Sequence, residues 1–112
     1  MREIKLELCW RLSSGNGQIL HSSPNTRGSY IIHVVKVDCG QSSTYGGKFY
    51  KCSTRLDLEI NTANDHRIIQ GYESPGACDA KIMWLDDVNF ETTWSNGEKR
   101  EMNIGDNFGV LP

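Results

Sequence analysis

The chain has 112 residues, 12 of them basic and 14 acidic, and its formal net charge is −2. A chain of this length forms one domain, residues 1–112, and buries roughly 65% of the surface that its unfolded form exposes, so its core needs neither a metal nor a disulfide. The small net charge excludes a long-range field toward phosphates or anionic lipid, which disfavours nucleic acid as a partner.

The sequence also argues against membrane insertion and against export through a signal peptide. No stretch approaches the run of about 18 apolar residues that a membrane-spanning helix needs. The first residues, Met1 to Leu8, alternate charge with hydrophobe and offer no apolar signal core. We therefore expect no membrane partner and a cytoplasmic chain, or a periplasmic or secreted one if Met1 replaces a removed leader.

The first third of the chain contains the first three predicted strands. Residues 2–10 alternate apolar and charged side chains, which indicates a strand with one wet face. A short strand is expected at 18–21, followed by a surface loop at 22–28 that contains Pro24. Residues 29–39 are β-branched and almost continuously apolar, which is typical of a central strand.

His33 shares the apolar side of this central strand with Val35 and Val37. The favoured interpretation is a core histidine bonded to a carbonyl group. A loop rich in serine, threonine and glycine follows at 40–47, and we expect Tyr45 at its tip.

Residues 48–60 resume the alternation and predict a long strand with a bulge or bend near Cys52. Its predicted inward side chains are Thr54, Leu56, Leu58 and Ile60, and its predicted outward ones are Arg55, Asp57 and Glu59. A turn and a short strand at 67–72 come next. The segment 77–85 fits either a helix or a strand, and we favour a strand from Lys81.

The pair Asn96-Gly97 gives the strongest local signal in the chain. It separates two alternating segments, residues 88–95 and 98–104, and such a pair is typical of a β-hairpin turn. A two-residue loop would place Trp94 opposite Lys99, an apolar side chain against a charged one. That mismatch argues against this register.

A three-residue loop, residues 95–97, matches the two faces better. It requires Gly97 in the left-handed conformation of a bulge, and it pairs Phe90 with Met102 and Val88 with Ile104. Because a slip of one residue turns every side chain of a strand to the opposite face, the apolar matches select this register.

Taken together, the elements predict an all-β fold. About eight short strands with frequent turn signals indicate an antiparallel β-sandwich or a partly open barrel, with at most one short helix. All three prolines fall outside the predicted strands, as strand hydrogen bonding requires.

The four cysteines are Cys9, Cys39, Cys52 and Cys78, and their wide spacing excludes a CxxC metal or redox motif. Free structural thiols are the favoured interpretation, and a disulfide is the alternative. A zinc site built from His33, Cys39 and Cys52 would require the fold to gather them, and no short histidine motif supports it. We therefore predict no metal and no cofactor.

Enzyme motifs are also missing. Serines lie in loops without a GxSxG elbow, and the glycine pairs lack the strand–turn–helix context of a phosphate loop. We predict no catalytic residue and a non-enzymatic protein.

Five residues are predicted to bind a partner. Asp86 and Asp87 form an acidic knob beside Trp84, a combination that suits a basic cleft in another protein, although a plain turn is the simpler interpretation. Tyr45 and Trp94 are aromatic residues expected near loops, where full burial is less common.

These features favour a small protein-binding antagonist of bacterial or phage type, such as a toxin-immunity protein or an enzyme inhibitor, which blocks its partner through loops and an exposed hairpin. One alternative is a carbohydrate-binding module that uses Trp94, Tyr45, Asn64 and Asp65. A further alternative is a small metal-binding or hydrolytic β protein. Oligomeric state and strand order are left open by the sequence.

Overall fold

The computed structural model describes residues 18–37, 43–45, 48–50 and 53–110, and for 43–45 and 48–50 it describes the backbone alone. The predicted strand at 2–10 and Cys9, Cys39 and Cys52 lie outside these residues. The elements in chain order are β1 Gln18–Pro24, β2 Tyr30–Val37, β3 Ser43–Tyr45, β4 Lys48–Tyr50, β5 Ser53–Asn61, β6 His66–Pro75, β7 Ala80–Trp84, β8 Asn89–Trp94, β9 Lys99–Asn103 and α1 Ile104–Phe108.

The described strands form two main antiparallel sheets. One has four strands in the order β1-β2-β5-β6, and the other has three in the order β7-β8-β9. The short strands β3 and β4 pair with each other. The predicted all-β fold is confirmed in its sandwich form, with no closed barrel and one short helix in the described part of the chain.

The core lies between the inner faces of the two sheets. Ile32, Leu56 and Leu58 of the first sheet share one buried cluster with Phe90 and Met102 of the second. Burial of one such side chain stabilises the fold by about 1.5–3 kcal/mol. The predicted inward side of residues 54–60 is confirmed, because all four of its side chains are buried.

The final hairpin has the predicted three-residue register. Phe90 faces Met102, and Gly97 has a φ of 93°, the left-handed conformation that glycine adopts without strain. The backbone N–H of Trp94 donates to the carbonyl of Glu98 at 2.8 Å, which closes the ladder beside the loop. The strand expected in the segment 77–85 is also confirmed, as β7.

Three predicted boundaries are wrong. The single strand expected at 48–60 is two elements, because β4 pairs with β3 while β5 joins the four-stranded sheet. Strands β1 and β6 continue to Pro24 and Pro75, so two prolines lie inside strands. Both are the last residue of a strand that is at the edge of the described sheet, where a missing N–H is tolerated.

Arg55 and Asp57 correct the predicted wet side of β5. They are 4% and 8% exposed, and Arg55 donates to Asp57 through Nε at 2.7 Å and through Nη2 at 3.1 Å. Residues two apart on a strand share a face, so this face buries a charge pair instead of leaving two charges in water. Pairing of this kind is what makes a buried charge tolerable.

The two sheets are joined along one side by contacts of β1 with β7 and with Asp79, the residue before β7. The indole Nε1 of Trp84 donates to the carbonyl of Ser23 at 3.1 Å, and His21 contacts Asp79 at 3.0 Å. On the opposite side, Tyr72 of β6 donates to Glu98 beside the hairpin at 2.9 Å. The contacts of β1 hold both ends of β7, and the contact of Tyr72 holds the hairpin.

The helix α1 closes the end of the sandwich. Asn103 caps it, since its Oδ1 accepts from the N–H of Gly105 at 2.8 Å and of Asp106 at 3.0 Å. Ile104 and Phe108 of the helix belong to the core cluster. No helix in the residues described here is long and apolar enough to cross a bilayer.

Cys78 is disulfide-bonded, and its partner lies outside the described residues. The interpretation of the cysteines as free thiols is therefore wrong for Cys78.

Candidate functional site

The structure places three of the five predicted binding residues together. Trp84 ends β7, and Asp86 and Asp87 occupy the turn between β7 and β8. Tyr45 belongs to β3, where its backbone pairs with Lys48, and its side chain is outside the described part of the structure. Trp94 lies in the core.

Asp86 organises its own turn. Its Oδ1 accepts from the backbone N–H of Val88 at 2.8 Å and of Asn89 at 2.7 Å, and its Oδ2 accepts from the side chain of Asn89 at 2.8 Å. The hydrogen bond from the Asn89 side chain and those two backbone N–H groups lower the pKa of Asp86 below 3.8. Asp86 is thus ionised at neutral pH, exposed and held in one orientation.

Asp87 links the turn to the loop after β1. Its Oδ2 contacts Nε of Arg27 at 3.1 Å, with the two side chains 44% and 77% exposed. Its backbone carbonyl accepts from Nδ2 of Asn25 at 2.9 Å, and Asn25 is buried. An ion pair this exposed adds little to stability, so the fixed element is the backbone and the charge stays accessible.

Trp84 has a structural role in addition to any contact with a partner. Its ring lies 5.1 Å from that of Phe90, and its Nε1 donates to Ser23 across the sandwich. The ring is half-buried against the core cluster. A change at Trp84 would therefore disturb folding, whether or not Trp84 contacts a partner.

The exposed residues that sequence reasoning missed are Met83 and Leu85. They are 54% and 49% exposed, and they flank Trp84 on the outward side of the strand. The register gives Met83 the outer face of the sheet, opposite Glu91. The sequence contains a signal for this exposure. Lys81, Met83 and Leu85 share one parity, and a lysine on that side indicates that it meets water.

We call Met83, Leu85, Asp86 and Asp87 the β7 surface. It combines two large apolar side chains with one fixed carboxylate and a second, weakly paired one. In the described part of the chain β7 pairs with β8 alone, so this surface lies along the edge of the three-stranded sheet.

Trp94 contradicts the prediction of an exposed aromatic contact. It is 2% exposed and packs edge-on against Tyr72, with ring centroids 5.6 Å apart. The hairpin tip is folded onto β6, where Glu98 accepts from Tyr72 and from Ser74. Glu98, just before β9, therefore ties the hairpin to β6 while residues 95–97 of the tip are exposed, and the burial of Trp94 removes it from the candidate binding residues.

The predicted sugar site is not assembled from Trp94 and the turn at Asn64 and Asp65. Trp94 contacts Tyr72, which lies seven residues, roughly 23 Å, along β6 from Asp65. Asp65 does line a cavity of about 300 Å³, whose other polar residues include Thr62 and Arg67. Arg67 already donates to Asp65 at 3.0 Å, so these two groups satisfy each other.

His33 also differs from its prediction, because it lies on the outer face of the four-stranded sheet instead of in the core. Its ring contacts Ser22 at 2.6 Å and Glu59 at 2.7 Å, so its partners are a hydroxyl and a carboxylate and not a carbonyl. His66 contacts the other oxygen of Glu59 at 3.1 Å. We call Ser22, His33, Glu59 and His66 the polar row.

Metal binding has no support in the described residues, where no group of three histidine, cysteine, aspartate or glutamate side chains is arranged to hold an ion. The zinc site considered with His33 includes Cys39 and Cys52, which lie outside those residues.

Comparisons with protein-family models, with curated protein sequences and with solved structures give no significant match to this chain. A functional proposal therefore has to start from the two surfaces described above, the β7 surface and the polar row.

Proposed function

We propose that the protein is a protein-binding antagonist of toxin-immunity or enzyme-inhibitor type, a function that needs no catalysis, and that it binds its partner through the β7 surface. The observation that supports the proposal is the position of Met83 and Leu85. Both are large, apolar and about half exposed, and they lead directly into the ionised Asp86.

The apolar pair supplies affinity in this proposal. Single exposed hydrophobes are common on soluble proteins, but two neighbours at a sheet edge form a patch that association would remove from water. Burial of the exposed part of each side chain contributes about 1 kcal/mol or more. Binding energy concentrated in a few such side chains is typical of protein interfaces.

The carboxylates supply orientation. Asp86 is held by three hydrogen bonds from its own turn, so its charge is fixed before a partner arrives. Fixed rim charges raise the association rate and select the partner more than they raise affinity. We therefore propose a partner with a basic cleft whose floor is apolar.

The test is affinity capture from the native organism, followed by measurement of the affinity for the captured protein. Met83→Ser combined with Leu85→Ser should weaken that affinity at least about 10-fold, the effect expected from the loss of two contact residues. Ile19 and Ile68 offer a matched control, since they are 56% and 62% exposed on the other sheet. Ile19→Ser with Ile68→Ser should leave the affinity unchanged.

Charge is tested separately with Asp86→Asn. Asparagine keeps an acceptor for the two N–H groups of the turn but loses the acceptor for the Asn89 side chain, so the melting temperature should fall modestly. Association should slow and lose part of its salt dependence. Equal affinity of wild type and the Met83/Leu85 variant, or equal loss in the Ile19/Ile68 control, would refute the β7 surface as the interface.

The disulfide bond of Cys78 supports a proposal about the compartment in which the chain works. Because disulfides persist in oxidising environments, we propose that the chain works in the periplasm or outside the cell and not in the cytoplasm. Thiol titration of protein purified from its native source without reductant should find Cys78 blocked. A freely reactive Cys78 would contradict this proposal and indicate a reducing compartment.

A further inference from the structure

The polar row crosses the whole four-stranded sheet on its outer face. Ser22 belongs to β1, His33 to β2, Glu59 to β5 and His66 to β6. The hydrogen-bonded atoms are Ser22 Oγ with His33 Nδ1 at 2.6 Å, His33 Nε2 with Glu59 Oε1 at 2.7 Å, and Glu59 Oε2 with His66 Nε2 at 3.1 Å. The row therefore joins a hydroxyl, an imidazole and a carboxylate in sequence.

The carboxylate fixes where the protons lie. Hydrogen bonds from His33 and then from His66 hold the pKa of Glu59 below 4.5, so at neutral pH Glu59 can only accept. A neutral His33 must then carry its proton on Nε2 and donate it to Glu59. Its Nδ1 is left as an acceptor, and Ser22 donates its hydroxyl proton to it.

We propose that Ser22, His33 and Glu59 form a nucleophile, base and positioning group that make Ser22 reactive toward the acyl carbon of small esters. A serine bonded to a base that is itself oriented by a third group is the general arrangement of activated hydroxyl nucleophiles. Relative to the common serine triad the two ring nitrogens have exchanged roles. The chemistry requires only that one nitrogen donates and the other accepts.

Exposure is distributed as such a site requires. Ser22 is exposed, whereas the side chains of His33 and Glu59 are only 13% and 20% exposed. A substrate can reach the hydroxyl while the base and the carboxylate are shielded. Ile68 pairs with Glu59 on the same face and is 62% exposed, which favours an uncharged, apolar acyl group.

The reaction is acyl transfer. Ser22 Oγ forms a bond to the ester carbonyl carbon as its proton moves to His33 Nδ1, and that proton then leaves with the alkoxide as the C–O bond breaks. In the second half, water attacks the carbonyl carbon of the acyl-serine and gives a proton to His33 Nδ1. His33 returns this proton to Ser22 Oγ as the bond between the acyl carbon and Oγ breaks, and the carboxylic acid leaves. The sum is one ester and one water converted to one acid and one alcohol.

This inference goes beyond the proposed antagonist function, because it assigns covalent reactivity to a site that shares no residue with the β7 surface. The two proposals are tested with different variants. Failure of one leaves the other unaffected.

The test uses a fluorophosphonate probe on the full chain, with peptide mapping of the modified residue. Ser22 Oγ should form a bond to phosphorus as fluoride leaves and His33 accepts the proton, so one label per chain should appear at Ser22. Ser22→Ala should abolish labelling. His33→Gln should slow it about 100-fold, the effect of removing a general base.

Controls separate reactivity from folding. His21→Gln changes a histidine that contacts Asp79 and lies outside the polar row, so labelling should proceed at the wild-type rate. In wild type, the labelling rate should rise with pH, because only a neutral imidazole can accept the proton of Ser22. Glu59→Gln, which removes the positioning charge, should change that pH profile while the circular dichroism spectrum stays native.

Absence of label at Ser22 in folded wild-type protein would overturn the proposal. So would a labelling rate that is independent of pH, or one that is equal in wild type and in a folded His33→Gln variant. Each of these outcomes would mean that the polar row only ties the strands together.

Discussion

Trp94 shows how one residue can satisfy packing while leaving a polar group without a partner. Its Nε1 is the one buried side-chain nitrogen or oxygen in the described residues that makes no hydrogen bond. A buried donor without a hydrogen bond lowers the free energy of unfolding by about 1–3 kcal/mol. The ring also packs against Tyr72 and the core, and truncation of such a buried ring costs about 3–5 kcal/mol, more than the unpaired donor.

Two substitutions at Trp94 separate these terms. Trp94→Ala should lower the free energy of unfolding by about 3–5 kcal/mol, because it empties a fully buried site. Trp94→Phe should cost clearly less, about 1 kcal/mol, because it keeps an aromatic ring and removes the unpaired N–H. Urea denaturation of both variants measures the difference.

Phe90→Ala is the control for this comparison. Phe90 is also fully buried but has no polar atom, so its truncation measures packing alone. If Trp94→Phe proves as destabilising as Trp94→Ala, then Nε1 contributes a hydrogen bond and the interpretation of an unpaired donor is wrong.

The carboxylates of the β7–β8 turn mark the limit of residue-scale prediction. Adjacent aspartates before an alternating segment predict a turn, and the turn is present. The sequence could not show that Asp86 would bind the N–H groups two and three residues ahead while Asp87 met Arg27 from a distant loop. The first depends on local backbone angles, and the second depends on how the sheets are stacked.

At the level of secondary-structure elements, the sequence predicts correctly those features that interactions between nearby residues determine. The β8–β9 hairpin depends on Gly97 and on the match of Phe90 with Met102, all within a few residues of each other. Its register therefore follows from the sequence. The ends of strands that depend on distant partners do not follow from the sequence. Strand β6 continues past Tyr72 because Glu73 to Pro75 pair with the start of β5.

Alternation predicts which side chains share a face but not what that face meets. On β2 and β5, residues of both parities are buried, including Val35, Arg55 and Asp57. The apolar parity of His33 therefore predicts the wrong face, because the core side of β2 is formed by Ile32 and Val34. The polar row could have been found only by asking which polar residues oppose one another across four strands.

Across the whole molecule, ionised carboxylates join elements that are distant in sequence. Glu59 connects three strands of one sheet through His33 and His66. Glu98 connects the hairpin to β6, an edge strand of the same sheet, through Tyr72 and Ser74. Protonation of either group would weaken contacts that hold the sandwich together.

The pKa shifts of these groups set the sign of the pH dependence. Burial raises the pKa of Glu98, but hydrogen bonds from Arg100, Ser74 and Tyr72 outweigh it, so the pKa lies below 4.5, as does that of Glu59. Their stabilisation is therefore complete above 4.5 and is lost as the pH falls through the lower folded values. Burial and the contact with Glu98 raise the pKa of Tyr72 above 10.0, so its contribution is lost as the pH rises beyond that value.

We expect the free energy of unfolding to be level near neutral pH and to fall as the pH drops below 4.5. Glu59→Gln and Glu98→Gln should each flatten this acid limb and lower the stability at neutral pH by about 1 kcal/mol, since both side chains are partly exposed. The two networks share no residue, so the double variant should show the sum of the two effects. Urea denaturation at a series of pH values measures this. An acid limb that is as steep in the double variant as in wild type would show that other carboxylates govern the acid stability of the sandwich.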